Sequence, residues 1–262
     1  MCLLLSLLLS VPAGGEARPD PGEPAPVFVD NTVASGCSDA GTGTQATPYC
    51  TIRAALAVAR PGLTIRVRGR FAEHVTIDRS GAPGQPITLR GVAGPDGATP
   101  RLAGPNAGLT ISGVHDVEVD DLQVDMPATG SAGLDLHDSI RLTMRRIRVA
   151  QQPQTGYPEL GAAAVFLRAV TDSELLELSV RVHTKSMIVM VGQTSRTHVT
   201  TFSRKSAGGL GGSLMIVGDD NTVTGVAAGV AGLPNSTQPC ADLRATARQD
   251  LILQLLRGDC LL

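Results

Sequence analysis

The amino-acid sequence predicts an all-β chain, a right-handed parallel β-helix (solenoid), with a short N-terminal capping helix and a C-terminal stretch that reads as a further helix. Three observations carry this expectation. A sixteen-residue block, LTISGVHDVEVDDLQV from Leu109, returns without a gap as LDLHDSIRLTMRRIRV from Leu134, and its pattern comes back from Val165, Val189 and Leu214. The spacing of its apolar residues fits strands and leaves no room for a helical period. Charges at two of its polar positions alternate in sign from copy to copy.

The copies start 25, 31, 24 and 25 residues apart, and a period of this size marks a solenoid whose units bury their apolar faces against their neighbours. The first, third, eleventh, fourteenth and sixteenth positions are apolar in each of the first three copies. They are Leu109, Ile111, Val119, Leu122 and Val124, then Leu134, Leu136, Met144, Ile147 and Val149, then Val165, Leu167, Leu175, Leu178 and Val180. Steps of two, broken by a step of three at a polar pair, read as strand, bend, strand. Each such side chain contributes roughly 1.5–3 kcal/mol when fully buried, so the inward set is a large part of what opposes chain entropy. The fourth copy keeps Val189, Val191, Val199 and Phe202 but carries Arg204 at its sixteenth position.

The polar positions test the register independently. In a parallel stack, equivalent residues of successive turns stand about one strand spacing apart. The eighth position runs Asp116, Arg141, Asp172, Arg196, and the thirteenth runs Asp121, Arg146, Glu177. Opposite charges on neighbouring strands stabilise modestly and like charges oppose pairing, so most charges of the chain read as structural ladders. Leucine-rich horseshoes share the repeat length but place Asn or Cys after their leucines, which is not seen here, and propeller blades are nearly twice as long.

Along the chain, residues 1–17 (MCLLLSLLLSVPAGGEA) read as a signal peptide, with an apolar core from Leu3 to Val11 too short to span a bilayer and cleavage expected after Ala17. Its positive n-region is missing. Residues 18–26 form a Pro-rich leader, and 27–62 an N-terminal cap. There Cys37 and Cys50 enclose the polar SDAGTGTQATPY, and a disulfide is expected, with zinc as the alternative. TIRAALAVA then places Ile52, Ala55, Leu56 and Ala59 on one face of a short helix that covers the open end of the coil. The β-helix itself is expected over 63–229. In 230–262, ADLRATARQDLILQLLRGDCLL reads as an amphipathic helix with Leu243, Leu251, Leu255 and Leu256 on one side. It is either a C-terminal cap or a non-native tail on a truncated β-helix. The net charge of −2 over 262 residues points to neither nucleic acid nor an anionic membrane surface. An extracellular or cell-surface monomer, with no membrane association after signal cleavage, is expected.

The series CSDAGTGTQATPYCTIRAAL, RPGLTIRVRGRFAEHVTI and RSGAPGQPITLRG, with the repeats that follow, resembles secreted bacterial right-handed parallel β-helix proteins of the pectate-lyase-like superfamily over residues 27 to about 225. The resemblance is specific for fold and far less so for activity, because such proteins include lyases of acidic polysaccharides, glycoside hydrolases, epimerases and members without known chemistry. For a lyase it implies β-elimination. A base removes the proton beside a sugar carboxylate, while Ca2+ or an arginine neutralises that carboxylate. A hydrolase would instead use clustered Asp carboxylates.

One outward face offers such groups. The second and fourth repeat positions stack as Thr110, Asp135, Phe166, Met190 and as Ser112, His137, Arg168, Gly192. Arg168 is the expected binder of a sugar carboxylate, and His137 or Lys185 the expected base. Asp135, Phe166 and Tyr157 are the expected substrate contacts, Tyr157 standing near the tip of a loop that six extra residues raise between Gln151 and Gly161. Calcium is the candidate cofactor, but Asp120, Asp121 and Asp125 are equally explained by the facing Arg145 and Arg146, and Asp219-Asp220-Asn221 reads as a bend. Six Tyr and Phe residues in all, with no Trp, leave few platforms for stacking sugar rings. Two functions stand: a lyase acting on acidic glycans, or a non-catalytic carbohydrate-binding module.

Overall fold

A computed structural model describes residues 24–32, 36–126, 132–151, 163–181, 186–191, 194–203, 213–216, 220–224, 243–244 and 251–253. The predicted signal peptide and most of the leader lie outside the described residues. The described coils are built from three faces of parallel strands. The first face holds His74–Ile77, Gly108–Ser112, the starts of Leu134–Arg145 and Ala163–Arg181, then Ser186–Val191 and Ser213–Ile216. The second holds Val27–Asp30, Thr64–Arg68, Ile87–Gly91, His115–Asp120, the continuation of the two long strands, Ser195–Ser203 and Thr222–Thr224. The third holds Arg70–Phe71, Arg101–Ala103, Gln123–Met126, Arg148–Gln151 and the end of Ala163–Arg181. The chain is a parallel β-helix.

The predicted register holds through the first three copies. Leu109 pairs with Leu134 and Leu134 with Val165; Val124 pairs with Val149 and Val149 with Val180. All fifteen predicted inward residues are at most 1% exposed. The fourth copy is a correction: Val165 stands opposite Ile188, not Val189, and Ile188 opposite Leu214. A second shift places Leu178 opposite Thr201 and leaves Phe202 opposite Ser179. SMIVMV has apolar residues in both phases, so no alternation fixes which one pairs.

The corners of the coil are single residues in the left-handed region. Asp116, Arg141, Asp172 and Arg196 at the eighth position have φ of 55°, 54°, 52° and 47°, and Asp121, Arg146 and Glu177 at the thirteenth have 54°, 52° and 56°. Such a conformation costs roughly 1–2 kcal/mol for a side chain other than Gly, and ion pairs between corners offset it. Arg141 donates through Nε to Asp116 Oδ1 at 2.9 Å and through Nη2 to Oδ2 at 2.8 Å. Arg196 binds Asp172 in the same two-pronged way at 2.5 and 2.8 Å, and Arg146 spans Asp120 and both oxygens of Asp121. Hydrogen bonding to Arg141 and then to His115 outweighs burial and holds the Asp116 carboxyl down to about 2.

Inside the same corners lies a polar series. Ser139, Ser173, Thr194, Thr197 and Asn221 are at most 3% exposed. The Ser139 hydroxyl accepts from Val114 N at 3.2 Å, Ser173 from Leu142 N at 3.0 Å, and Thr194 from Val170 N at 3.3 Å. Asn221 accepts from Thr197 N at 3.1 Å and donates to Thr194 O at 2.7 Å. Each closes a backbone group that the bend removes from the strand ladder.

At the N-terminal end a helix, Ile52–Ala57, buries Ile52, Ala55 and Leu56. Its first N–H groups are satisfied by two distant carboxylates: Asp39 Oδ1 accepts from Cys50 N and Thr51 N at 2.7 and 2.9 Å, and Glu73 accepts from Ile52 N at 2.8 Å. The Cys37–Cys50 disulfide is formed, as expected and in place of zinc. At the other end, Leu243–Arg244 and Leu251–Leu253 are strands pairing antiparallel with Thr222–Thr224 and Ser213–Ile216. The helix read from the sequence is therefore not seen at these residues. The exposed edge of the last coil offers backbone partners that Leu-Ile-Leu meets as a strand.

Candidate functional site

The outward face of the first sheet gathers the predicted residues that are described. Thr76, Thr110, Asp135 and Phe166 stand in register on successive strands, as do Ser112, His137 and Arg168. The fourth-coil shift places Val189 and Val191 next in these columns, where the sequence put Met190 and Gly192. Residues one step apart on a strand point to opposite faces, so Asp135 and His137, two apart, share this one.

His137 Nδ1 lies 3.4 Å from Asp135 Oδ1, with side chains 21% and 39% exposed. Arg168 Nη2 lies 3.3 Å from Asp138 Oδ2, a pair more than half exposed on both sides. An ion pair this exposed is worth at most about 1 kcal/mol, so an incoming carboxylate can exchange for Asp138. Two coils away, His74 Nε2 and Thr110 Oγ1 approach to 2.8 Å and add a second imidazole to the face. Phe166 is half-buried beside this row. Chemically, the face offers an imidazole oriented by a carboxylate and, about one strand spacing (~4.8 Å) further on, a guanidinium. Lys185 and Tyr157 lie outside the described residues.

Asp120, Asp121 and Asp125, considered for calcium, face arginines, and Asp219 lies outside the described residues. Arg146 takes Asp120 and Asp121, and Arg90 approaches Asp120 at 3.7 Å. Asp125 accepts from Gln123 Nε2 at 2.6 Å and faces Arg101 at 3.6 Å. Among the described residues no three His, Cys, Asp or Glu side chains gather as a metal centre would need. No described helix is long and apolar enough to cross a membrane.

A feature the sequence reading missed lies on the third face. A cleft of about 880 Å³ is lined by Arg68, Arg70, Arg101, Arg148, Gln123 and the turn at residues 94–99. Arg70 and Arg101 precede the recognisable repeat, so their alignment with Gln123 and Arg148 could not be read from spacing. The only signal was the density of arginine in RVRGRF.

No protein-family model matches the chain, and no curated protein matches it. Among solved structures the chain is similar to the crystal structure of pectate lyase Pel9A, at 14% identity and a TM-score of 0.35, over 77% of this chain and 62% of that one. A likeness at that score decides nothing about function, and the fold stands on the strand register described above.

Proposed function

We propose that this chain is an exported β-helix protein acting on acidic polysaccharide, with β-elimination at the outward face of the first sheet. The observation that carries this is the alignment of His137, beside Asp135, with Arg168 on the next strand. In this reading Arg168 neutralises the carboxylate of a uronate residue, which acidifies the adjacent carbon-bound proton. His137 removes that proton, with Asp135 holding the imidazole. The electron pair forms the new double bond as the bond to the leaving glycosidic oxygen breaks. Phe166 offers an apolar contact to the ring, and Lys185 and Tyr157 remain proposed contributors. The Cys37–Cys50 disulfide and the apolar N-terminal stretch support export to an oxidising compartment.

A non-catalytic binding module is the second reading, favoured by the arginine-lined cleft, which offers mainly positive charge. Incubation with polygalacturonate, alginate and glycosaminoglycans, with and without calcium, separates the two through the ultraviolet absorbance of unsaturated ends. Product that disappears in His137→Ala and Arg168→Ala is the expected result. Turnover unchanged in both variants would refute this placement, and no product with retained glycan binding would favour the module.

A further inference from the structure

We propose that the cleft on the third face is a binding site for an extended polyanionic polysaccharide, separate from the His137 face. The ligand's class rests on the acidic-glycan reading above; the site itself rests on a row of strand arginines that is only thinly compensated. At the corners, charges alternate in sign and are closed by short bidentate pairs. On the third face Arg70 stands directly opposite Arg101, and Gln123 and Arg148 follow on the next two strands. Four successive strands thus present donors with no carboxylate in the column, and Arg70 and Arg101 stand as like-charged neighbours, which oppose pairing. Arg66 and Arg90, the comparable pair on the second face, are each compensated: Arg66 lies 5.7 Å over the Phe28 ring and Arg90 faces Asp120 at 3.7 Å.

Compensation in the cleft is thinner. Arg101 has Asp125 at 3.6 Å and Arg68 has Asp30 at 3.5 Å, both longer than a charge-assisted hydrogen bond. Among the described residues Arg148 reaches only the Thr99 hydroxyl, at 3.3 Å. Arg68 Nε is buried without a partner, and the Arg70 side chain makes no polar contact among the described residues. Asp96, the one carboxylate lining the cleft among the described residues, accepts from Ala98 N at 3.0 Å within its own turn.

The floor is fastened from the N-terminal strand. Asn31 donates through Nδ2 to Arg70 O at 2.6 Å and accepts from Arg70 N at 3.1 Å. A Cβ on Gly69, whose φ is 116°, would meet Asn31 Oδ1 at 2.0 Å, so a glycine is needed for this clasp. The donors recur at one strand spacing, ~4.8 Å, so the matching ligand lies across the strands and carries a negative group on each successive unit. Guanidinium forks suit carboxylate or sulfate. No aromatic side chain lines the cleft among the described residues, which gives nucleic-acid bases no stacking platform there and favours a glycan.

The test is binding of polygalacturonate, dextran sulfate, neutral dextran and single-stranded DNA to the full chain. The variants are Arg70→Gln, Arg101→Gln, Arg148→Gln, their triple combination, and Arg53→Gln as an exposed arginine outside the cleft. We expect polygalacturonate, dextran sulfate or both to bind, weakened about fivefold per cleft variant and about a hundredfold in the triple, with Arg53→Gln unchanged. Carboxylate and sulfate ligands are told apart by which polymer binds, and either supports the site. Equal binding of DNA, or equal loss in Arg53→Gln, would overturn it. If the triple variant does not fold, the salt dependence of wild-type binding decides: affinity falling steeply with salt supports the site, and salt-independent affinity overturns it. Binding lost in His137→Gln but kept in the triple variant would overturn the cleft and leave the first-face reading intact. Absence of any polyanion binding overturns the cleft, while product formation measured separately decides the lyase reading.

Discussion

Asp116→Asn tests whether the corner ion pairs hold the coil together or merely decorate it. Asn is at home in the left-handed conformation, so the substitution keeps the bend at φ 55° and removes the charge. Asp116 is 8% exposed and takes two hydrogen bonds from Arg141 and one from His115 at 2.8 Å. Its carboxyl is lowered from 3.8 to about 2. A depressed folded-state value means stability that is complete above the unfolded value and lost as pH falls through the folded one, so the window runs from about pH 4 down to about pH 2. The shift alone corresponds to about 2.5 kcal/mol. The Arg141 side chain is 44% exposed, and solvent screening reduces this to about 1–2 kcal/mol. Urea unfolding of wild type and Asp116→Asn across this range should show a gap of that size above pH 4 that closes as the pH nears 2. A gap of constant size at every pH would refute the electrostatic origin and assign the loss to packing.

Two further substitutions probe the corners from inside and along the backbone. Ser173→Ala should cost about 1–3 kcal/mol, because the buried Leu142 N then loses its hydrogen bond to the Ser173 hydroxyl at 3.0 Å; an unchanged urea midpoint would mean the bend is satisfied another way. Ala169 is left-handed at φ 53° and has no side-chain hydrogen bond to justify it, so Ala169→Gly should stabilise by about 0.5–1 kcal/mol, the relieved strain exceeding the entropy lost from the unfolded chain. A lower melting temperature would show that the methyl packs.

The inward aliphatic residues and the sign-alternating corners were legible because both obey a fixed period. Asp116 and Arg141 are 25 residues apart in sequence and touch in space. The interior polar series was not legible, since a Ser or Thr beside a bend reads equally as solvent-facing turn chemistry. Only the coordinates show that Ser139 and Ser173 turn inward. The fourth-coil register failed because Ile188 and Val189 are interchangeable by hydrophobicity. Asp135, His137 and Arg168 were placed on one face correctly, because that needs only the two-residue alternation. The arginine cleft escaped because part of its wall, Arg68, Arg70 and Arg101, belongs to coils that precede the detectable repeat.

Arginine serves two ends in this chain, and the backbone separates them. A corner arginine such as Arg141 or Arg196 sits at a left-handed residue whose side chain is aimed along the stack, so the carboxylate of the preceding corner saturates it. A strand arginine such as Arg70 or Arg101 projects from a face, with its neighbour in the column fixed by register rather than chosen by reach. Compensation there comes at longer range, as from Asp125 to Arg101 at 3.6 Å. His137 and Arg148 belong to the same coil yet to different faces. Their side chains project from separate faces, so substitutions at His137 and at Arg148 test the two proposed sites independently.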